Sequence, residues 1–144
     1  EHSVLVSQLV PTLAGLLHDA AEAYLTDLPR ATKAELPHYL ELEARTMRAI
    51  AVRFGFAPEM TPEIRAADDA VAYLEEPAGP GRAFDTANGL TDARQAGIAA
   101  RAGLTLHGLD PDAAERLFLD RLEELAGRPA SDFHARVTPD RQAA

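Results

Sequence analysis

The sequence contains no cysteine. Disulfides and thiolate ligands are therefore excluded, and any bound metal must rely on imidazoles and carboxylates. No apolar run reaches the about 18 residues that a membrane span requires. Basic residues are in deficit: 14 Lys and Arg stand against 23 Asp and Glu, a formal charge of −9. Such a balance argues against a nucleic-acid polymer as partner. It still admits a small anion, because a cation and a few local Arg or Lys reverse the field within one pocket. Strand formers are sparse and scattered while alanine is abundant, which selects an all-α fold. No signal peptide is visible and the chain opens at Glu1 without methionine, so a preceding segment is expected.

With 144 residues, 47% of them hydrophobic, there is enough chain for one core. The most informative stretch is Leu13–Pro29, L-A-G-L-L-H-D-A-A-E-A-Y-L-T-D-L-P. Leu13, Leu16, Leu17, Ala20, Ala21, Tyr24 and Leu25 recur at helical spacing. The pattern predicts a helix with Thr12 as N-cap, ending near Leu25 to Asp27. His18, Asp19 and Glu22 fill an adjoining arc about 100° wide. An imidazole and two carboxylates at the edge of an apolar helix need partners, and a divalent metal is a good one. Other helices must then supply further ligands.

Val4 to Leu9 predicts a short helix stopped by Pro11, with His2 at its start. Pro29 disfavours helix at Leu28, so Asp27 falls where the chain turns. Arg30 and Lys33 follow and are candidates to meet a phosphate. Pro37 to Phe54 predicts a long helix closed by Gly55, with Leu40, Met47, Ile50, Ala51 and Phe54 inward. Glu41, Glu43, Arg45 and Arg48 look like its solvated face. Thr61-Pro62-Glu63 opens another helix, running to Pro77. On it Asp68 sits beside the stripe of Ile64, Ala67, Val71 and Leu74, and Asp69 points roughly 100° further toward water. Asp68 then needs a partner, a metal or Arg65. Residues 77–97 read as a Gly/Pro-rich connection, with a short helix near 91–102. Asp110-Pro111-Asp112 caps a last helix, with Leu117, Phe118, Leu122 and Leu125 inward and Gly127 at its end. His38, His107 and His134 receive no role.

The order H, then H-D, then D, contributed by His2, His18 with Asp19, and Asp68, resembles the HD-domain superfamily of metal-dependent phosphohydrolases. The segments E-H-S-V-L-V-S, L-L-H-D-A-A-E-A-Y-L-T-D-L-P and A-A-D-D-A-V-A-Y-L are similar to the branch that contains the bacterial 5′-deoxynucleotidases. The resemblance implies an HD-domain helical bundle over residues 1–127, followed by a flexible tail at 128–144. It implies one divalent ion on His2, His18, Asp19 and Asp68, with Mn²⁺, Co²⁺, Fe²⁺ or Zn²⁺ favoured and Mg²⁺ admitted. Glu22 and Asp27 match the family's acids beside the metal, which makes them the catalytic candidates. Arg30 and Lys33 are the substrate-binding candidates.

The expected activity is hydrolysis of a phosphate ester by a metal-bound water, most simply on a (deoxy)nucleoside 5′-monophosphate. Two alternatives stand beside it: a deoxynucleoside triphosphate triphosphohydrolase, and a non-catalytic ligand-sensing or dimerisation module. The expected setting is cytoplasmic and homodimeric, on a small nucleotide, with no nucleic-acid polymer and no membrane. The family's upstream segment, which usually carries a substrate-contacting Arg, lies outside this sequence. The interval from His2 to His18 is short, with only Pro11-Thr12 for a turn. That requires a tightened bundle, or residues missing from the interval.

Overall fold

Helix α1 (His2–Leu9) lies at the centre of the molecule, with Val4, Leu5, Val6 and Ser7 all buried. It packs against α2 (Leu13–Leu16), α5 (Pro62–Glu75) and α6 (Pro111–Ala126). A short helix with no charged residue after its first turn can be enclosed on every side. Val4 joins Leu16, Leu17, Leu122 and Ala130 in one core, while Leu5 and Val6 join Ala67 and Val71 in a second. The computed structural model describes residues 1–75, 97–99 and 101–133, with the Arg30 side chain excepted. Among the described residues every regular element is helical, and no helix is long and apolar enough to cross a membrane. The connection expected at 77–97 falls almost wholly outside the described residues; of the tail expected at 128–144, residues 128–133 are described and dock on the core through Ala130 and Phe133, and the rest, with His134, lies outside them. Residues 97–99 and 101–102 are helical, in keeping with the expected short helix.

The remaining elements are α3 (Arg30–Ala34) and α4 (Pro37–Phe54), with 3₁₀ helices at Ala20–Ala23 and Ala130–Phe133. Cap chemistry sets the long helices. Pro37 occupies the first turn of α4, and Gly55 closes it at φ +79°. Thr61 Oγ1 accepts the Ile64 amide at the start of α5. Asp110 Oδ1 accepts the Ala113 amide of α6, which Gly127 ends at φ +64°. A side-chain cap of this kind contributes about 1 kcal/mol.

The central helix expected from Thr12 to Asp27 is not continuous. Thr12 does cap it, accepting the Gly15 amide, but α-helix ends after one turn at Leu16. Leu17 and Asp19 take φ −105°, ψ 16° and φ −108°, ψ 15°, in the sparsely populated bridge region. The cause is local. In a regular helix the Gly15 carbonyl would accept the Asp19 amide; here it is 3.0 Å from His18 Nδ1. The ladder restarts with 3₁₀ spacing, Glu22 N–H donating to Asp19 O. The break also turns Tyr24 out of the expected apolar stripe, to 75% exposure. Leu40 and Leu117, expected inward, are exposed as well.

The short interval between His2 and His18 closes by a tight approach. Val10 lies so near Gly15 that a Cβ there would collide with the Val10 carbonyl oxygen. Glycine is therefore required at this contact. Across the other side of α1, buried Ser7 is clamped to α6. Its hydroxyl donates to Val4 O (2.7 Å) and accepts Arg121 Nε (2.9 Å), and Arg121 also donates to Ser7 O (2.7 Å) and Glu124 (2.7 Å).

Candidate metal centre

Three elements deliver the cluster. His2 comes from the first turn of α1, His18 and Asp19 from the break after α2, and Asp68 from the middle of α5. One ligand atom from each of these residues lies within 4.8 Å of every other. Ligands about 2.1 Å from a common ion stand up to about 4.2 Å apart, so a small contraction is enough to coordinate one. The two imidazole rings are 5.5 Å apart between centroids. Asp68 Oδ1 is 3.1 Å from His2 Nε2 and 3.6 Å from His18 Nε2. The Arg65 pairing that the sequence also allowed for Asp68 is not formed among the described residues.

The donor set has a specific imbalance. His18 is buried, its side chain 1% exposed. Its Nδ1 donates to Gly15 O, which fixes the tautomer and leaves Nε2 as a lone pair aimed at carboxylates. Asp19 Oδ2 stands 2.9 Å from that nitrogen, yet Nε2 makes no hydrogen bond among the described residues. A lone pair facing two carboxylates is repulsive unless a proton or a cation lies between them. His2 is oriented in the same sense, its Nδ1 2.9 Å from Glu75 and its Nε2 turned to Asp68. Imidazoles held by a carbonyl or carboxylate on the far nitrogen are the usual metal-ligating arrangement. The residues present fit a divalent ion.

Without an ion, protons take up the charge. Burial opposes a charge on His18, but the Asp19 and Asp68 carboxylates overcome it and push the pKa up to about 10. His2 is likewise raised against its burial, by Asp68 and Glu75. Burial would raise Asp68, but the two histidines hold it well below the usual carboxylate range.

The other expected site residues fall around this cluster. Glu22, on the 3₁₀ helix, is lifted to about 6 by burial, then by the Asp19 charge, then by the Asp27 carboxylate, which accepts a hydrogen bond from protonated Glu22 and repels its charged form. Asp27 is 69% exposed on the following loop. Lys33 is not a free cation: its ammonium lies 2.8 Å from Glu43, 3.4 Å from Glu22 and 3.6 Å from Asp27. The Arg30 backbone begins α3, and its side chain lies outside the described residues. Asp69, expected to face water, is buried at 4% exposure, and Asp68 is the more accessible of the pair.

Cavities open on both sides of the cluster. One, of about 460 Å³, runs between α4 and α5 and is lined by His18, Asp19, Asp68, Lys33, Arg48 and Arg65 among others. The other, of about 500 Å³, is lined by His2, Asp19, Glu22, Asp27, Asp68 and Glu75 among others. The sequence pattern assigns Glu43 and Arg48 to a solvated face rather than to the site, and it does not single out Glu75. Glu75 follows Asp68 by two helical turns, and that spacing is the signal that could have found it. Glu43 and Arg48 share the α4 face of Leu40, Ala44 and Met47, which line the same cavity.

Comparison with known proteins gives two relatives. The chain is 31% identical over 129 residues to the uncharacterized protein YfdR of Escherichia coli (strain K12), covering 88% of this chain and 70% of YfdR. It is 38% identical over 91 residues to the uncharacterized protein RCAP_rcc00048 of Rhodobacter capsulatus, covering 52% of this chain and 46% of that protein. No family model matches the chain, and no solved structure matches it.

Proposed function

The chain belongs to the family of Escherichia coli YfdR, and from the geometry of its His–Asp cluster we propose that it is a metal-dependent phosphohydrolase of the HD type, acting on a (deoxy)nucleoside 5′-monophosphate. The observation that carries the proposal is the convergence of His2, His18, Asp19 and Asp68, with the buried Nε2 of His18 turned to the Asp19 and Asp68 carboxylates. His2, His18, Asp19 and Asp68 hold the ion, with Mn²⁺, Co²⁺, Fe²⁺ and Zn²⁺ the best matched to two imidazoles and two carboxylates. When bound, a divalent ion offsets the charge of the phosphate oxygens and lowers the pKa of water from 15.7 toward about 7.

The chain's own residues do the rest. Glu22 stands beside the cluster without belonging to it, and a carboxylate with a pKa near 6 is a serviceable base at neutral pH. It takes the proton as the water oxygen bonds to phosphorus and the ester P–O bond breaks. Asp27, adjoining Glu22 in the acid-lined cavity, is the second acid–base group: it receives the proton from Glu22 and passes it to the leaving alkoxide oxygen, which departs as the alcohol. Lys33 ties Glu22 to Glu43 of α4, which fixes the base in place. The same reading sets the protein in the cytoplasm, as a homodimer.

The test is a screen of nucleoside mono-, di- and triphosphates with Mn²⁺, Co²⁺ and Mg²⁺, reading phosphate, pyrophosphate and triphosphate separately. Phosphate release from monophosphates is the expected result. Glu22→Gln should keep the metal and lose kcat by about 10²–10⁴-fold. Release of triphosphate alone would replace the monophosphate assignment.

A further inference from the structure

The cavity between α4 and α5 differs from its opposite in the charges it offers. Arg48 and Arg65 line it, and neither forms an ion pair among the described residues. Lys33 lines it too, but three carboxylates hold its ammonium. Each cavity is lined by five carboxylates, Asp19, Glu22 and Asp68 being common to both, but the one across the cluster has no Arg or Lys beside them. An anion approaching from that side finds no Arg or Lys, and the one imidazole there, His2, is already held between Asp68 and Glu75, so that face of the cluster is the less favourable to it.

Position on the helices sharpens the contrast. Arg65 precedes Asp68 by three residues on α5, so both stand on one face. Arg48 shares the cavity face of α4 with Leu40 and Met47, and Met60 lies across from them. Leu40 and Met60 are exposed apolar side chains, which are costly to leave in water and available to an apolar ring. Methionine adapts its shape to such a surface. The volume, about 460 Å³, lies within the range of small-molecule sites.

We infer that Arg48 and Arg65 form the anion subsite of this protein, and that the ligand is a phosphate monoester dianion whose organic group packs on Leu40, Met47 and Met60. This rests on the phosphohydrolase reading and gives it a direction. The phosphate enters between α4 and α5, and the acid-lined cavity serves proton traffic rather than anion binding. Two guanidinium groups match a dianion, and planar forks suit phosphate oxygens better than ammonium groups do. A triphosphate would bring further charge with no further unpaired Arg or Lys among the described residues that line this cavity.

The probe is inorganic phosphate, titrated by calorimetry into the Mn²⁺-loaded chain, with Mn²⁺ affinity measured separately by electron paramagnetic resonance. Arg48→Gln and Arg65→Gln should each weaken phosphate binding about tenfold, and the pair about a hundredfold. Mn²⁺ affinity should stay within about twofold, since neither arginine belongs to the cluster. Arg65→Lys, which keeps the charge and the fold, should fall between. Arg45→Gln, in a separate cavity, should change nothing. Unaltered phosphate affinity in the double variant, with Mn²⁺ bound, overturns the subsite and leaves the phosphohydrolase reading standing. A wild-type chain that binds no Mn²⁺ overturns both.

Discussion

Two polar clusters flank helix α1, and they balance donors against acceptors in opposite ways. At Ser7 every donor meets an acceptor: the hydroxyl serves Val4 O, and the Arg121 guanidinium serves Ser7 twice and Glu124 once. At His2, His18, Asp19 and Asp68 two imidazole nitrogens converge on two carboxylates, and only added protons or a cation can hold them together. A saturated network fastens helices together. A network short of a cation is a place where one belongs. Both clusters are partly buried and both bridge distant segments, so burial alone would not have told them apart.

The widest separation between the two should come from deleting one member of each. Asp68→Ala should abolish metal binding and activity while the chain stays folded, checked by metal content after dialysis. Arg121→Ala should do the reverse, with metal retained and stability lowered by about 1–3 kcal/mol in urea unfolding, because Ser7 is left buried and under-bonded. Metal content unchanged in the Asp68 variant would sink the ligand assignment. A smaller effect separates ligand from support. Glu75→Gln keeps a hydrogen bond to His2 Nδ1 but removes the charge behind it, so metal affinity should fall about 10–100-fold, measured by competition with a chelator.

The smallest effect is a slope. In the metal-free protein the folded pKa of His18 is raised from 6.5 to about 10. Its contribution to stability is therefore complete below pH 6.5 and is lost as pH rises toward 10. The raised pKa of His2 adds with the same sign. Metal competes with these protons, so saturating Mn²⁺ should flatten or reverse the decline. Thermal melts across that range provide the check. Arg121→Ala should lower the whole curve without changing its slope.

Much of the fold was legible because chemistry marks helix ends. Pro37 with Gly55, Thr61 with Pro62, and Asp110-Pro111 with Gly127 bound α4, α5 and α6 as the sequence indicates. The break after Leu16 was not legible. It arises because a side chain, His18, takes up a carbonyl that the helix would otherwise use, and periodicity carries no trace of that exchange. Asp68 and Asp69 were ranked on a wheel without knowing that α1 packs on α5, so their burial came out reversed. The candidate quartet was legible through the H, H-D, D order, and the structure brings the four side chains together as a group that could hold a metal ion. Lys33 and Arg48 exchanged parts. A lysine near the turn looked available to an anion and is ion-paired, while an arginine on an apparently solvated face lines the cavity.

Gly15 supplies no side chain to the cluster and carries no charge; only its carbonyl meets it, accepting from His18 Nδ1. Yet its missing side chain is what lets α1 and α2 lie close enough for the imidazoles of residues 2 and 18 to meet. The bite of two imidazoles is thus metered from three residues away, by an atom the chain omits. Selection for the metal would then reach a position that no inventory of ligands would include.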